Sequence, residues 1–180
     1  VSDPLSGVSI PRAWLWEGTP AFLGPVAGEL GPEWTSVGGG ELALGWQGLL
    51  RDLRAGDQVR RAPPKPNALL DVATLVGLSL EDVDGDISSG RLAEPIRPGA
   101  TLVRTDGPRG GDVLQRATEG QPDLTWHYTA VPSDRIVDST GAGDVFLAAM
   151  LAARIDPSLG PDVLVAAAAA SLVVEGPAVQ

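Results

Sequence analysis

The stretch Asp138-Ser139-Thr140-Gly141-Ala142-Gly143-Asp144-Val145-Phe146-Leu147-Ala148-Ala149-Met150-Leu151 carries the strongest signal in the 180-residue chain. Its first half is short-chained and holds two glycines. Its second half, continued to Ala152, places Val145, Ala148, Ala149 and Ala152 at helical spacing, which predicts a helix over Gly143 to Ile155. Small residues let the backbone turn tightly into that helix and leave successive N–H groups unshielded. Those groups have no carbonyl partner inside the helix and sit at the positive end of its dipole, so the turn suits an anion such as a transferring phosphoryl group. Asp144 stands at the mouth of the turn. It can act as a favourable first-turn charge, worth about 0.3–1 kcal/mol. It can equally be a general base toward an alcohol that attacks the bound phosphoryl group.

The chain around this stretch alternates short apolar runs with candidate helices. Ala21-Phe22-Leu23, Leu42-Ala43-Leu44-Gly45-Trp46 and Val72 to Leu78 read as strands, and Val26 to Leu30, Leu49 to Leu53 and Leu80 to Ile87 as short helical pieces, with Ser79 as the N-cap of the last. Thr101 to Arg104 and Val113 to Arg116 read as two strands joined by the glycine-rich connection Asp106 to Gly111. Leu124 to Ala130 alternates as a further strand, and the alanine-rich stretch Asp162 to Val174 closes the chain as a helix. Beta followed by alpha, repeated, predicts a parallel sheet covered by helices. The domain reading is an irregular opening segment over 1–20 and one α/β domain over 21–180.

Composition narrows the chemistry. The chain has no Cys and a single His, which excludes cysteine zinc sites and multi-histidine metal centres. Its one lysine, Lys65, lies in Pro63-Pro64-Lys65-Pro66-Asn67, so no Walker A loop is present. A net charge of −10 repels phosphate backbones and argues against nucleic acid as a partner. The longest apolar run, Val163 to Val174, is too short to span a bilayer and contains Ser171, which argues against a membrane protein. No export signal is recognisable, so the expected compartment is cytoplasmic.

Asp138 to Leu151 resembles the C-terminal signature of the PfkB, or ribokinase-like, family of carbohydrate kinases. The resemblance extends over roughly residues 20 to 180 and implies a ribokinase-like three-layer α/β fold with a mainly parallel central sheet. It implies Asp144 as catalytic base, also touching the acceptor, and the backbone at Gly141, Ala142 and Gly143 as the anion hole for the γ-phosphate. Asp138 is implied to lie by a monovalent-cation site, such as one for K⁺. Ser79-Leu80-Glu81-Asp82 is similar to the family's Asn-x-x-Glu motif, which orders Mg²⁺ and phosphate through water, with both end residues shortened here. Thr105-Asp106-Gly107-Pro108-Arg109-Gly110 resembles the segment that contacts the nucleotide through positions matching Thr105, Gly107 and Gly110. Ala166 to Ser171, with Glu175-Gly176-Pro177, resembles the helix and loop that flank the adenine. Gly24-Pro25-Val26-Ala27 and Trp46-Gln47-Gly48 with Arg51 are similar to a branch acting on sugars or cyclitols, which makes Gln47 a candidate substrate contact.

The function implied is transfer of the γ-phosphate of ATP, with Mg²⁺, to a hydroxyl of a sugar, nucleoside or cyclitol, with a homodimer left open. Family members run to about 300 residues, and this chain begins at Val1 with no counterpart of their N-terminal portion. The expectation is therefore a partial chain in which the N-terminal strands and lid are missing. That gap motivates a rival expectation, a non-catalytic nucleotide- or ligand-binding module without an acceptor site. Other readings compete locally. Ser79 and Asp82 serve equally as a helix cap. Asp82-Val83-Asp84-Gly85-Asp86 fails as a calcium loop, because Ile87 and Ala93 stand where Gly and Glu are needed. A Ser-His-Asp hydrolase built on His127 lacks a Gly-x-Ser-x-Gly elbow.

Overall fold

In a computed structural model, residues 18–176 are described, apart from 27, 38, 53–55, 57, 84 and 89. Most of the expected opening segment, 1–17, lies outside them, as do Ala27, Leu53 and Pro177 of the motifs above. Six strands form one sheet: β1 (Ala21–Leu23), β2 (Leu42–Gly45), β5 (Leu75–Ser79), β6 (Thr101–Thr105), β7 (Gly111–Gln115) and β8 (Leu124–Tyr128), side by side in that order. The first four run parallel; β7 is antiparallel to β6, and β8 to β7. A short antiparallel ribbon, β3 (Arg51–Asp52) with β4 (Arg60–Arg61), stands apart. The helices are α1 (Ala68–Val72), α2 (Gly90–Ala93), α3 (Ala142–Ile155) and α4 (Asp162–Val174). None of the described helices is long and apolar enough to cross a membrane.

Side chains alternate across the strands, so one sequence feeds two cores. Leu44, Val76, Leu102 and Leu114 join one cluster with Trp46, Leu70 and Ile96. Ala43, Leu75, Val103 and Val113 point the other way and pack with Phe146, Leu147, Met150 and Ala166 of α3 and α4. A mainly parallel sheet covered on both faces follows, which is the expected three-layer arrangement.

α3 crosses the sheet antiparallel to its parallel strands. At its C-terminal end Arg154 donates to Thr101 Oγ1 (2.8 Å) and the Thr74 carbonyl (3.4 Å), where β6 and β5 begin, and pairs with Asp162 at 2.9 Å. Ten residues earlier, about 15 Å along the helix, Asp144 reaches the other end of the sheet. There, side-chain carbons built at Gly24 and Gly45, just past β1 and at the end of β2, would lie 3.9 and 4.0 Å from its Oδ1. Gly77 of β5 keeps the helix close, since a Cβ there would meet Leu147 at 3.0 Å.

Three expected helices do not form; in Leu49 to Leu53, Leu49 and Leu50 end the 3-10 turn Trp46–Leu50 and Arg51–Asp52 pair as β3 instead. Val26 to Leu30 is irregular at its described residues, with the Glu29 carboxylate accepting from the Val26 amide at 2.9 Å, so the side chain closes a turn instead. Leu80 to Ile87 is a set of turns at its described residues, because the Leu80 amide donates across to the Thr105 carbonyl (2.8 Å) and is drawn toward β6. α1, which the turn-like proline run conceals, is capped by Asn67, whose Oδ1 accepts from the Leu69 amide at 2.9 Å. It buries Leu69 and Leu70 completely.

The two-sided core sets a stability contrast. Leu102 is fully buried, and Leu102→Ala is expected to cost about 2–5 kcal/mol. Leu172 is 70% exposed on α4, and Leu172→Ala should stay within about 0.5 kcal/mol of the wild type in urea denaturation.

Candidate active site

The carboxyl ends of β1, β2, β5 and β6 and the N-terminus of α3 meet on one side of the sheet, the position at which ligands bind in open α/β folds. The turn into α3 is built by its own short residues. Asp138 accepts the Thr140 amide at 2.8 Å, and that hydrogen bond, with one from the Thr140 side chain, holds the Asp138 carboxyl below the usual carboxylate range. The amides of Val137 and Asp138 donate to the Val174 carbonyl, fastening the turn to the end of α4. Gly141 caps α3 in the left-handed region, with φ of 80°. The Ala142 amide folds back to the Ser139 carbonyl (3.2 Å) and Val145 bonds Gly141 (2.9 Å). Between them, the amides of Gly143 and Asp144 find no carbonyl partner among the described residues. Of the expected anion-hole amides, Ala142's is therefore engaged, and the Asp144 amide stands open beside that of Gly143.

A pocket of about 170 Å³ opens beside this turn. One wall is the end of β6 at Thr105 and the loop after it, with Gly107 and Pro108; another is Ala142, Gly143 and Phe146 of α3; a third is Ala167, Ala170, Ser171 and Val174 of α4. Tyr128, Ala130 and Val131, at and beyond the end of β8, complete it with Ile136. The structure thus joins five sequence-predicted residues in one cavity: Thr105, Gly107, Ala142, Gly143 and Ser171.

Asp144 lies on the opposite side of the α3 N-terminus, exposed, over the ends of β1 and β2. The loops there touch backbone to backbone, since a Cβ on Gly48 would fall 2.1 Å from the Pro25 carbonyl. This joins the Gly24-Pro25 and Trp46-Gln47-Gly48 motifs. Gln47 is exposed in the short 3-10 turn that follows β2.

Three predicted residues have local duties. Asp82, nearly fully buried, accepts the Ser79 amide through Oδ2 (3.0 Å) and pairs with Arg51 through Oδ1 (3.7 Å). Ser79 Oγ in turn accepts from the Glu81 amide at 3.2 Å. Both Asp82 oxygens are engaged by the chain itself, in a free-standing turn rather than a helix cap. No cluster of three or more His, Cys, Asp or Glu that could hold a metal occurs among the described residues. Gly110 is buried with φ of 91°, and a Cβ there would strike the Tyr128 carbonyl at 2.0 Å, so packing against β8 accounts for it.

The sequence reading missed Tyr128 and Phe146, whose rings stack with centroids 5.3 Å apart at the pocket wall. Burial pushes the Tyr128 phenol up, assisted by the charges of Asp112 and Asp106. His127 joins Asp112 at 3.0 Å, and Asp112 joins Arg104 at 2.7 Å, in a row across β8, β7 and β6. No serine completes a triad in that row.

The family model for the pfkB family of carbohydrate kinases matches residues 71–180. Among solved structures, a ribokinase from Arabidopsis thaliana, complexed with ribose and ATP, is 20% identical with a TM-score of 0.52 over 87% of this chain and 49% of its own. A nucleoside kinase from Burkholderia thailandensis, in complex with inosine, is 19% identical with a TM-score of 0.54, covering 87% of this chain and 50% of that one. A Methanocaldococcus jannaschii nucleoside kinase is 17% identical with a TM-score of 0.54 over the same shares. These similarities show a ribokinase-like fold, and the chain spans about half the length of the solved structures it matches. No curated protein matches the sequence.

Two measurements probe this geometry. A Cβ meets no steric obstacle within 4 Å at either Gly141 or Gly143, but only Gly141 has positive φ. Gly141→Ala is therefore expected to lose about 1–2 kcal/mol of stability, and Gly143→Ala to gain about 0.4–1 kcal/mol, by urea denaturation. The Asp112 carboxyl is held below its usual range by the His127 hydrogen bond first and then by Arg104, against burial. Its folded pKa is depressed, so the stabilisation is present above the unfolded value of about 3.9 and fades as pH falls through the folded one. Asp112→Asn should lower the urea midpoint at neutral pH and match the wild type once the wild-type carboxyl is protonated.

Proposed function

The chain belongs to the pfkB family of carbohydrate kinases, and from that premise we propose that it transfers the γ-phosphate of ATP to a hydroxyl of a sugar, nucleoside or cyclitol. One observation carries the reading: the N-terminus of α3 stands between an apolar pocket on one side and the Asp144 carboxylate on the other. Base, phosphates and acceptor would then follow one another across a single helix end. The pocket takes the adenine, with Thr105, Gly107 and Ser171 at its walls. The open amides of Gly143 and Asp144, with that of Gly141, face the γ-phosphate. Asp144 accepts the acceptor's proton as its oxygen bonds the γ-phosphorus and the bond to the β-phosphate oxygen breaks.

Gly143 supports this assignment. Neither positive φ nor crowding calls for glycine there, and glycine within a helix is less stable than alanine by about 1 kcal/mol. Close approach of a phosphate supplies the missing reason. Mg²⁺ would neutralise phosphate charge. With both oxygens of Asp82 occupied and no acidic cluster described, the nucleotide phosphates and water would hold most of its coordination sphere. Asp138 is the proposed neighbour of a monovalent cation such as K⁺, and Gln47, beyond the end of β2, the proposed acceptor contact.

The exposure of Asp144 favours a second reading, a nucleotide-binding module that does not turn over, since an open site admits water. A coupled assay across ribose, inosine, hexoses and cyclitols, with calorimetry for ATP, separates the two. Acceptor-dependent ADP release is expected, and Asp144→Asn should lower it by about 10²–10⁴-fold with ATP affinity nearly unchanged. Equal turnover in the variant would sink the role of Asp144, and ATP binding without turnover would leave the module.

A further inference from the structure

We propose that the pocket beside α3 binds purine nucleotides without distinguishing adenine from guanine, an inference that rests on the nucleotide reading above. Every side chain lining it that can hydrogen-bond carries a hydroxyl: Thr105, Tyr128, Ser133, Ser139 and Ser171. No amide, carboxylate, imidazole or cationic side chain belongs to its described lining. A hydroxyl donates or accepts as it rotates, whereas those groups have fixed polarity.

The two purines differ at their reading edge. Adenine presents an amino donor where guanine presents a carbonyl acceptor. A site rejects the wrong base by large factors only when that base leaves a buried donor or acceptor unpaired. Several of the groups that could be so stranded are already committed. Ser171 Oγ donates to the Pro132 carbonyl at 3.2 Å. The carbonyl of Val174, at the end of the α4 wall, accepts the amides of Val137 and Asp138. Thr105 Oγ1 donates to the Leu78 carbonyl at 3.4 Å. Most of what the lining offers a base is dispersion and stacking against small apolar walls and Phe146, and every base offers a π-face for that. Discrimination therefore falls to shape, which the two purines largely share.

Calorimetry on the full chain with non-hydrolysable ATP and GTP analogues and with inorganic tripolyphosphate tests the proposal. The two nucleotides are expected to bind within about tenfold of each other. Ala170→Leu, which fills the pocket, should weaken both together and leave tripolyphosphate binding unchanged; Ala130→Leu, on the facing wall, serves if the first variant unfolds. A difference between ATP and GTP beyond tenfold overturns the inference while the nucleotide reading survives. Nucleotide affinities untouched by filling the pocket also overturn it. If neither nucleotide binds the folded chain, the nucleotide reading itself fails.

Discussion

The structure depends on how α3 is laid across the sheet. Arg154 binds it to the beginnings of β5 and β6 through Thr74 and Thr101, and Gly77 gives up a side chain so that Leu147 can settle against β5. With one end fixed at the amino ends of the strands, the length of the helix places its N-terminus at their carboxyl ends. Helix dipole, open amides and Asp144 arrive there as a consequence of packing. The turn before the helix completes the placement, because the Val174 carbonyl holds Val137 and Asp138 and so ties the α3 entrance to the end of α4. Both long helices then contribute to the pocket, and neither could shift without moving its walls.

Several of these features were legible in the sequence because they rest on local chemistry. The helix from Ala142 to Ile155 needs only its apolar spacing and a left-handed glycine at Gly141, and α4 needs only its run of alanine and valine. The strands from Thr101 to Tyr128 alternate, and their hairpin turn follows from glycine content. The failures concern signals that two structures share. Ser79 and Asp82 have the spacing of a capping box, and Asp82 accepts the Ser79 amide as the box requires, but Ser79 Oγ accepts from Glu81 rather than Asp82 and no helix follows. The Leu80 amide is claimed by β6, a partner far along the chain, and Gly85 takes a φ of 113°. Local spacing cannot report such competition.

The same limit applies to the site. Thr105, Gly107 and Ser171 came from a family resemblance and do line one cavity. Gly110, read in the same motif, lies outside that lining, at a place where only glycine fits against the backbone of β8. Tyr128 and Phe146 gave no functional signal, because one completes an alternating strand and the other a helical stripe. Their stacked wall exists only once β8 and α3 are brought together. Asp82 reads equally as cap or metal support, and its pairing with Arg51, thirty-one positions earlier, is a contact that local spacing cannot report.

On the proposed reading, the two sides of the α3 N-terminus do different thermodynamic work. The pocket walls touch a base that takes no part in the reaction, so they hold ground state and transition state alike; such binding sets affinity and contributes little to the rate of the chemical step. Asp144 acts only as a hydroxyl loses its proton, and the open amides act most as charge develops on the phosphoryl group, so their contribution appears in the transition state. The small residues at Gly24 and Gly45 keep the space before Asp144 clear for an acceptor. Divergence of the pocket walls would therefore tune which nucleotide is held, with the phosphotransfer machinery unchanged. Divergence of the loops after β1 and β2 would change which hydroxyl reaches Asp144. A single helix end can separate these two specificities because each meets it from a different side.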